Sequence, residues 1–229
     1  MDESKPLKFP SIKPLLAAIT LVCAIACAGS AGLTQTGAIM IAIEKMSAGA
    51  PPSDFDFART GQGAPGVWAV VADASASGGR AIEQTSTDRT DYRFPLAIYQ
   101  KDAAGNVAVT LRFKPMAGKV DQAGGIAVRL SDADNYYVVR ANALEDNVRF
   151  YRGVKGRREQ IEGVNTKVTP NAWHQLGLRA EGERFTITFD GKQLFTATDR
   201  TFTGAGKIAL WTKSDSVTRF DGIEIKPLP

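Results

Sequence analysis

The sequence predicts an all-β protein, an antiparallel two-sheet jelly-roll sandwich preceded by an N-terminal signal segment. Three observations predict it. From residue 67 onward, about a dozen short segments alternate apolar and polar residues at period two. The 22 glycines and 11 prolines supply the turns that so many strands need. No helical period is sustained in this region. With 44% hydrophobic and 23% charged residues, the chain carries enough apolar material for one full-size core.

Residues 1–31 read as an export signal. Lys5, Lys8 and Lys13 form a basic leader, Leu15 to Ala26 is apolar, and small residues from Ala26 to Ala31 follow. A retained membrane anchor needs about 18–20 apolar residues, and this run is shorter. The expectation is therefore cleavage, with no stable transmembrane span afterwards, and a periplasmic or cell-surface destination. Cys27, after Ala24-Ile25-Ala26, offers a second route through lipoprotein processing. Both cysteines lie in this segment, so the remainder has no disulfide and no thiolate metal site.

Residues 32–54 read as a tether, with a first strand or short helix in the apolar piece from Ala38 to Ile43. The sandwich domain is assigned to residues 55–229. Gly61 to Gly66 spells GxGxxG, but no strand precedes it and Pro65 sits where a nucleotide-binding helix would begin, so it reads as a loop. Strands follow at Val67–Ala72, Ala81–Thr85, Arg93–Tyr99, Val107–Lys114 and Ile126–Leu130. A hairpin then spans Asn135–Asn142 and Val148–Arg152, and Arg157–Val164 comes next. Asn171–Ala180, Phe185–Phe189, Gln193–Thr198, Lys207–Lys213 and Val217–Ile225 complete the set, with Asp190-Gly191 as a two-residue hairpin turn.

In the central hairpin, Tyr137, Val139, Ala141, Val148 and Phe150 fall on one face, facing a core. Tyr136, Arg140, Asn142, Arg149 and Tyr151 fall on the other. Neighbouring strands add Arg112 and Arg129 to that second face, one arginine per strand. Sequential strands are usually neighbours, so these residues are expected to form one polar carpet on a single sheet. Guanidinium forks and aromatic rings suit a sugar's hydroxyls and apolar face. Arg129, Tyr136, Arg140, Asn142, Arg149 and Tyr151 are therefore the candidate ligand-binding residues, with Trp211, Lys213 and Asp215 bordering them. The other reading is a solvated face whose arginines lie flat over their neighbours.

Other chemistry has less support. His174, the single histidine, begins a strand beside Trp173 and reads as structural. Asp132-Ala133-Asp134-Asn135 offers oxygen ligands for calcium but too few for the six to eight it takes, and the string also suits a turn. No metal site or cofactor is assigned. The formal charge of +4 is spread out and predicts no nucleic-acid partner.

The order of Ala123–Arg129, Asn135–Asn142, Trp173-His174-Gln175-Leu176, Phe189-Asp190-Gly191 and Gly206–Thr212 through Phe220-Asp221 resembles the concanavalin A-like lectin/glucanase superfamily. Within it, the match is to the laminin-G-like group that includes 3-keto-disaccharide hydrolase domains. The resemblance covers roughly residues 55–227. It implies a concanavalin A-like jelly roll, and a partner that is a carbohydrate or cell-surface polymer. It leaves two activities open. One is an exported carbohydrate-binding module. The other is a hydrolase or lyase acting on a 3-keto-glycoside, with Arg140, Arg149 and Glu145 or Asp146 as electrophile and acid/base. Retaining glucanases of the superfamily carry a Glu-x-Asp-x-x-Glu strand, which is absent here, so no catalytic residue is assigned.

Overall fold

The computed structural model describes Met1 and residues 37–229. The export-signal reading, with Cys23 and Cys27, lies outside the described residues. Alternation becomes two antiparallel sheets. One has the order β13 (Lys192–Thr198), β12 (Arg184–Phe189), β11 (His174–Glu181), β6 (Val107–Ala117), β15 (Val217–Pro227), β4 (Arg80–Gln84) and β3 (Trp68–Ala72). The short β1 (Ile39–Met40) adds to β15. The other has the order β10 (Arg157–Asn165), β9 (Asn147–Val154), β8 (Asn135–Asn142), β7 (Ala123–Asp132), β14 (Lys207–Trp211), β5 (Arg93–Tyr99) and β2 (Phe55–Gly61).

The eight-stranded sheet is apolar on one side only. Along β6, Val107, Val109, Leu111 and Phe113 are buried while Ala108, Thr110, Arg112 and Lys114 are half-exposed, the signature of a sheet with one wet face. Across the sandwich, Tyr137, Val139 and Phe150 meet Phe185, Leu178 and Ile187 in one core. Tyr137 and Phe150 lie 4.5 Å and 4.8 Å from Phe185, centroid to centroid. Every core-facing assignment made for the central hairpin holds. Val139 pairs with Phe150, Arg140 with Arg149 and Asn142 with Asn147.

Turn chemistry also follows the sequence. Asp190 and Gly191 both take positive φ, +48° and +76°, as a two-residue hairpin turn demands. The Asp190 carboxylate accepts the Gln175 N–H and lies 2.8 Å from His174 Nδ1, while His174 stacks on Phe189. His174 is thus a core residue that ties a turn. Asp132 accepts the Asp134 N–H and the Asn135 side-chain amide, so that string forms a turn.

One strand went unread: β2 lies at the sheet edge beside β5 and runs into Gly61, so a strand does precede the GxGxxG string, contrary to the expectation. The expected first strand or short helix at Ala38–Ile43 is present as β1 and a 3-10 turn, and residues 39–46 belong to the sandwich instead of to a tether alone. Ile41, Ile43 and Met46 are buried in the main core.

Candidate functional site

The seven-stranded sheet differs from its partner because both of its faces are covered. On its outer face, Phe94, Leu96, Tyr136, Val138, Tyr151 and Trp211 form a second apolar cluster. Small residues make room for it. Ala123, Ala127 and Ala209 are buried there, and a Cβ at Gly153 would stand 3.6 Å from the Tyr136 ring. Large side chains can therefore lie flat across their neighbours. The Tyr136 hydroxyl is 2.8 Å from Thr60 Oγ1 and accepts from Trp211 Nε1 at 3.3 Å. Phe94 stacks on Trp211 at 5.3 Å, and Tyr92 meets Phe94 edge-on at 4.8 Å. Tyr92 then spans to the β9–β10 turn, donating to Gly156 O and accepting the Arg158 N–H.

Beside this sealed region lies a polar one. Arg140, only 5% exposed, donates to Asn147 Oδ1, to Glu145 Oε2 at 2.7 Å and to the Tyr151 hydroxyl at 3.1 Å. Asn147 Nδ2 also donates to Glu145. Asn142 donates to Asp121 Oδ1 at 2.6 Å, and Lys213 Nζ lies 2.8 Å from Asp121 Oδ2 and 2.9 Å from Asp91. Lys213 and Asp121 thus form a close ion pair.

The charges are tuned in opposite directions. Burial pushes the Asp121 carboxyl above its usual range, against the pull of Lys213. Burial works the same way on Glu145, but Arg140 and Asn147 outweigh it and hold the carboxyl low. For Lys213, burial is overcome by Asp121 and Asp91, which raise it. Glu145 and Lys213 are thus both biased toward their charged forms.

Asp215 builds the loop that carries Asp121. Its carboxylate accepts the backbone N–H groups of Lys119, Val120 and Asp121 at 2.8–3.0 Å. Burial opposes ionisation, but these three donors prevail and depress its pKa. A depressed folded pKa means stability that is present above the unfolded value of about 3.9 and lost as pH falls through the folded one. Asp215→Asn is expected to cost about 1–3 kcal/mol at pH 7. It should also flatten the acid limb of stability below about pH 4. Urea unfolding between pH 2 and 7 measures both.

The six candidate residues do not all meet. Arg140, Asn142 and Tyr151 come together with Asp121, Lys213 and Glu145. Tyr136 lies on the same face as floor, with its hydroxyl already partnered. Arg149 shares the face by register, but its guanidinium runs past Gly163 to Asn165 Oδ1 at 2.5 Å. Arg129 is a correction. At φ +51° in the β7 bulge it turns away from the face, stacks on Phe185, and donates to the carbonyls of Gly105, Phe202 and Gly182. It ties loops together at the sandwich rim.

Arg112 is a second correction. β6 belongs to the other sheet, where Arg112 grips Asp221 with two donors and lies over Trp173 at 4.8 Å. The expected single carpet is therefore split between sheets. Asp146 also leaves the site, bonding Val168 N–H and Lys167. Sequence reasoning missed Asp121, Asn147 and Arg158. Asp121 lies in a loop without pattern, and Arg158 alternates like any edge-strand residue. A depression of about 380 Å³ on the other sheet, between Met40–Glu44 and Ser77–Gly78, has its buried carboxylate, Asp221, already taken by Arg112 and the Ser77 N–H.

Two antiparallel sheets packed face to face in this strand order define a concanavalin A-like jelly-roll fold. Solved structures of similar fold include the carbohydrate-binding module CBM66 of Bacillus subtilis, with TM-score 0.59 and 21% identity over 74% of this chain and 94% of that one. The β-glucanase of Bacillus licheniformis aligns with TM-score 0.55 and 13% identity, covering 85% of this chain and all of that one. Residues 102–228 match the family described as galactocerebrosidase, C-terminal lectin domain, and the chain belongs to that family. The levanase of Bacillus subtilis (strain 168) is 27% identical over 139 residues, which is 60% of this chain. That alignment spans only 18% of the levanase. No helix among the described residues is long and apolar enough to cross a membrane.

Proposed function

We propose that the domain is a carbohydrate-binding module whose ligand docks on the outer face of the seven-stranded sheet, at Arg140. One observation carries this placement: Arg140 is held by Asn147, Glu145 and Tyr151 beside the Lys213–Asp121 pair, where a sealed apolar cluster gives way to charge. Glu145 keeps 43% of its side chain exposed and Asp91 keeps 76%, so carboxylate acceptors and cationic donors line the same opening. Vicinal sugar hydroxyls each give one hydrogen and accept another, and rigid charged partners of both signs match that pattern. The lectin-domain family and the CBM66-like fold support the class of ligand.

Arg140→Ala removes charge-assisted bonds of about 1.5–3 kcal/mol and should weaken glycan affinity about 10- to 100-fold. Calorimetry against glycan-array hits, with a thermal melt to confirm folding, measures this. An unchanged affinity in a folded variant moves the site elsewhere.

A hydrolytic reading, on a 3-keto-glycoside, draws on the opposed tuning of Asp121 and Glu145, the pattern of an acid/base pair. Asp121 is 1% exposed behind Asn142 and Lys213, which favours binding over catalysis. Export to the periplasm or cell surface belongs to the same proposal, and N-terminal sequencing from the native host tests it. An intact Met1 in a cytosolic fraction would remove it.

A further inference from the structure

Arg140 and Lys213 have carboxylate partners, but Arg158 does not. It is the second residue of β10, opposite Gly153, and its guanidinium lies over the rings of Tyr151 at 4.3 Å, Phe94 at 4.7 Å and Trp211 at 5.6 Å. Among the described residues that guanidinium makes no hydrogen bond, no carboxylate stands within 4 Å, and its buried Nη1 is unpartnered. Burial pulls its pKa below the usual arginine range. Stacking occupies the faces of the guanidinium and leaves its in-plane N–H donors unused. A half-buried cation in this condition lacks a paired carboxylate and an acceptor within hydrogen-bond reach, with Asp121 acting on it only from a distance. Arg149, on the same face, donates to the neutral amide of Asn165 and to the Val148 carbonyl and meets no carboxylate among the described residues.

We propose, resting on the carbohydrate reading above, that the ligand is an acidic glycan whose carboxylate or sulfate is received by Arg158. A planar carboxylate, or a tetrahedral sulfate ester with its three terminal oxygens, offers at least two acceptors to the guanidinium fork, where a neutral hydroxyl offers one. The aromatic stack beneath fixes the fork before the ligand arrives, so little side-chain freedom remains to be lost on binding. Arg140, 5% exposed and already partnered, grips the sugar ring, and Arg158 reads its charge.

The test uses the full-length protein and three probes of related backbone: a neutral galactan, an oligogalacturonate and a sulfated galactan. The intact protein is expected to bind at least one acidic probe about tenfold or more tightly than the neutral one at 0.15 M salt. Arg158→Met keeps the apolar cover and should abolish that preference, so that acidic and neutral probes are bound alike. Arg157→Met removes an equal charge from the opposite side of the strand and should leave the preference intact, which separates fork recognition from general attraction. If Arg158→Met melts, Arg158→Lys decides: a folded lysine variant should lose most of the preference, because one point charge replaces the fork. Equal affinity for neutral and acidic probes, or an acidic preference that survives Arg158→Met or Arg158→Lys, overturns the proposal and leaves the carbohydrate reading standing. Failure to bind any glycan removes both. The sulfated and carboxylated arms tell which oxyanion is read.

Discussion

Phe150→Ala is expected to lower the stability of the domain by about 3–5 kcal/mol. The ring is fully buried, opposite Val139 in the hairpin and between Tyr137 at 5.7 Å and Phe185 at 4.8 Å. It therefore joins the two sheets at the middle of the core, and strands on both sides limit how far the cavity collapses. Each lost aromatic contact adds about 0.5–1.5 kcal/mol beyond area burial. Urea unfolding with an unchanged m-value measures the loss cleanly. Leu144→Ala, at an exposed position on the turn of the same hairpin, should change stability by no more than about 0.5 kcal/mol. A loss below about 1 kcal/mol at Phe150 would contradict the packing described.

Arg93→Ala is expected to cost a comparable amount, about 3–5 kcal/mol, by a different route. Arg93 has no exposed surface and donates to the carbonyls of Ala64, Pro65 and Ser214 and to Ser86 Oγ. Burial lowers its pKa, and Asp88, 3.7 Å away, opposes that. Removal strands several buried acceptors at once, each costing about 1–3 kcal/mol unless water reaches it. Arg93→Lys should recover only part, since an ammonium cannot reach three loops. The same arginine explains the GxGxxG loop. Gly61 and Gly63 take positive φ where the chain crosses Tyr92 and Thr90, and a Cβ at Gly61 would lie 2.1 Å from Tyr92 O. Because Ser214 sits between Lys213 and Asp215, Arg93→Ala should also weaken glycan affinity. Calorimetry on any folded fraction checks this second effect.

Side-chain direction along a strand is a local property, so alternation alone placed Tyr137, Val139 and Phe150 inward and Arg140, Asn142, Arg149 and Tyr151 outward. The Asp190-Gly191 turn and the structural role of His174 were legible for the same reason. Burial of the second face was not. Nothing in the alternation marks Val138 and Ala127 as core, and the arrival of Leu96 and Trp211 from strands distant in sequence makes them so. Arg129 kept its place in the alternation but lost its direction to a left-handed bulge residue, which shifts the β7–β8 register beyond Val128. Arg112 was assigned to the wrong sheet because β6 pairs with β11 and β15, both far along the chain. The sequence by itself determined the all-β class, the strands from residue 67 onward and the two faces of the central hairpin. Tertiary structure alone decided which arginines share a face, which find carboxylates, and that Arg158 rests on three rings with its donors unspent. Strand pairing and bulges are settled by hydrogen bonds and packing between residues far apart in sequence, which local periodicity does not encode.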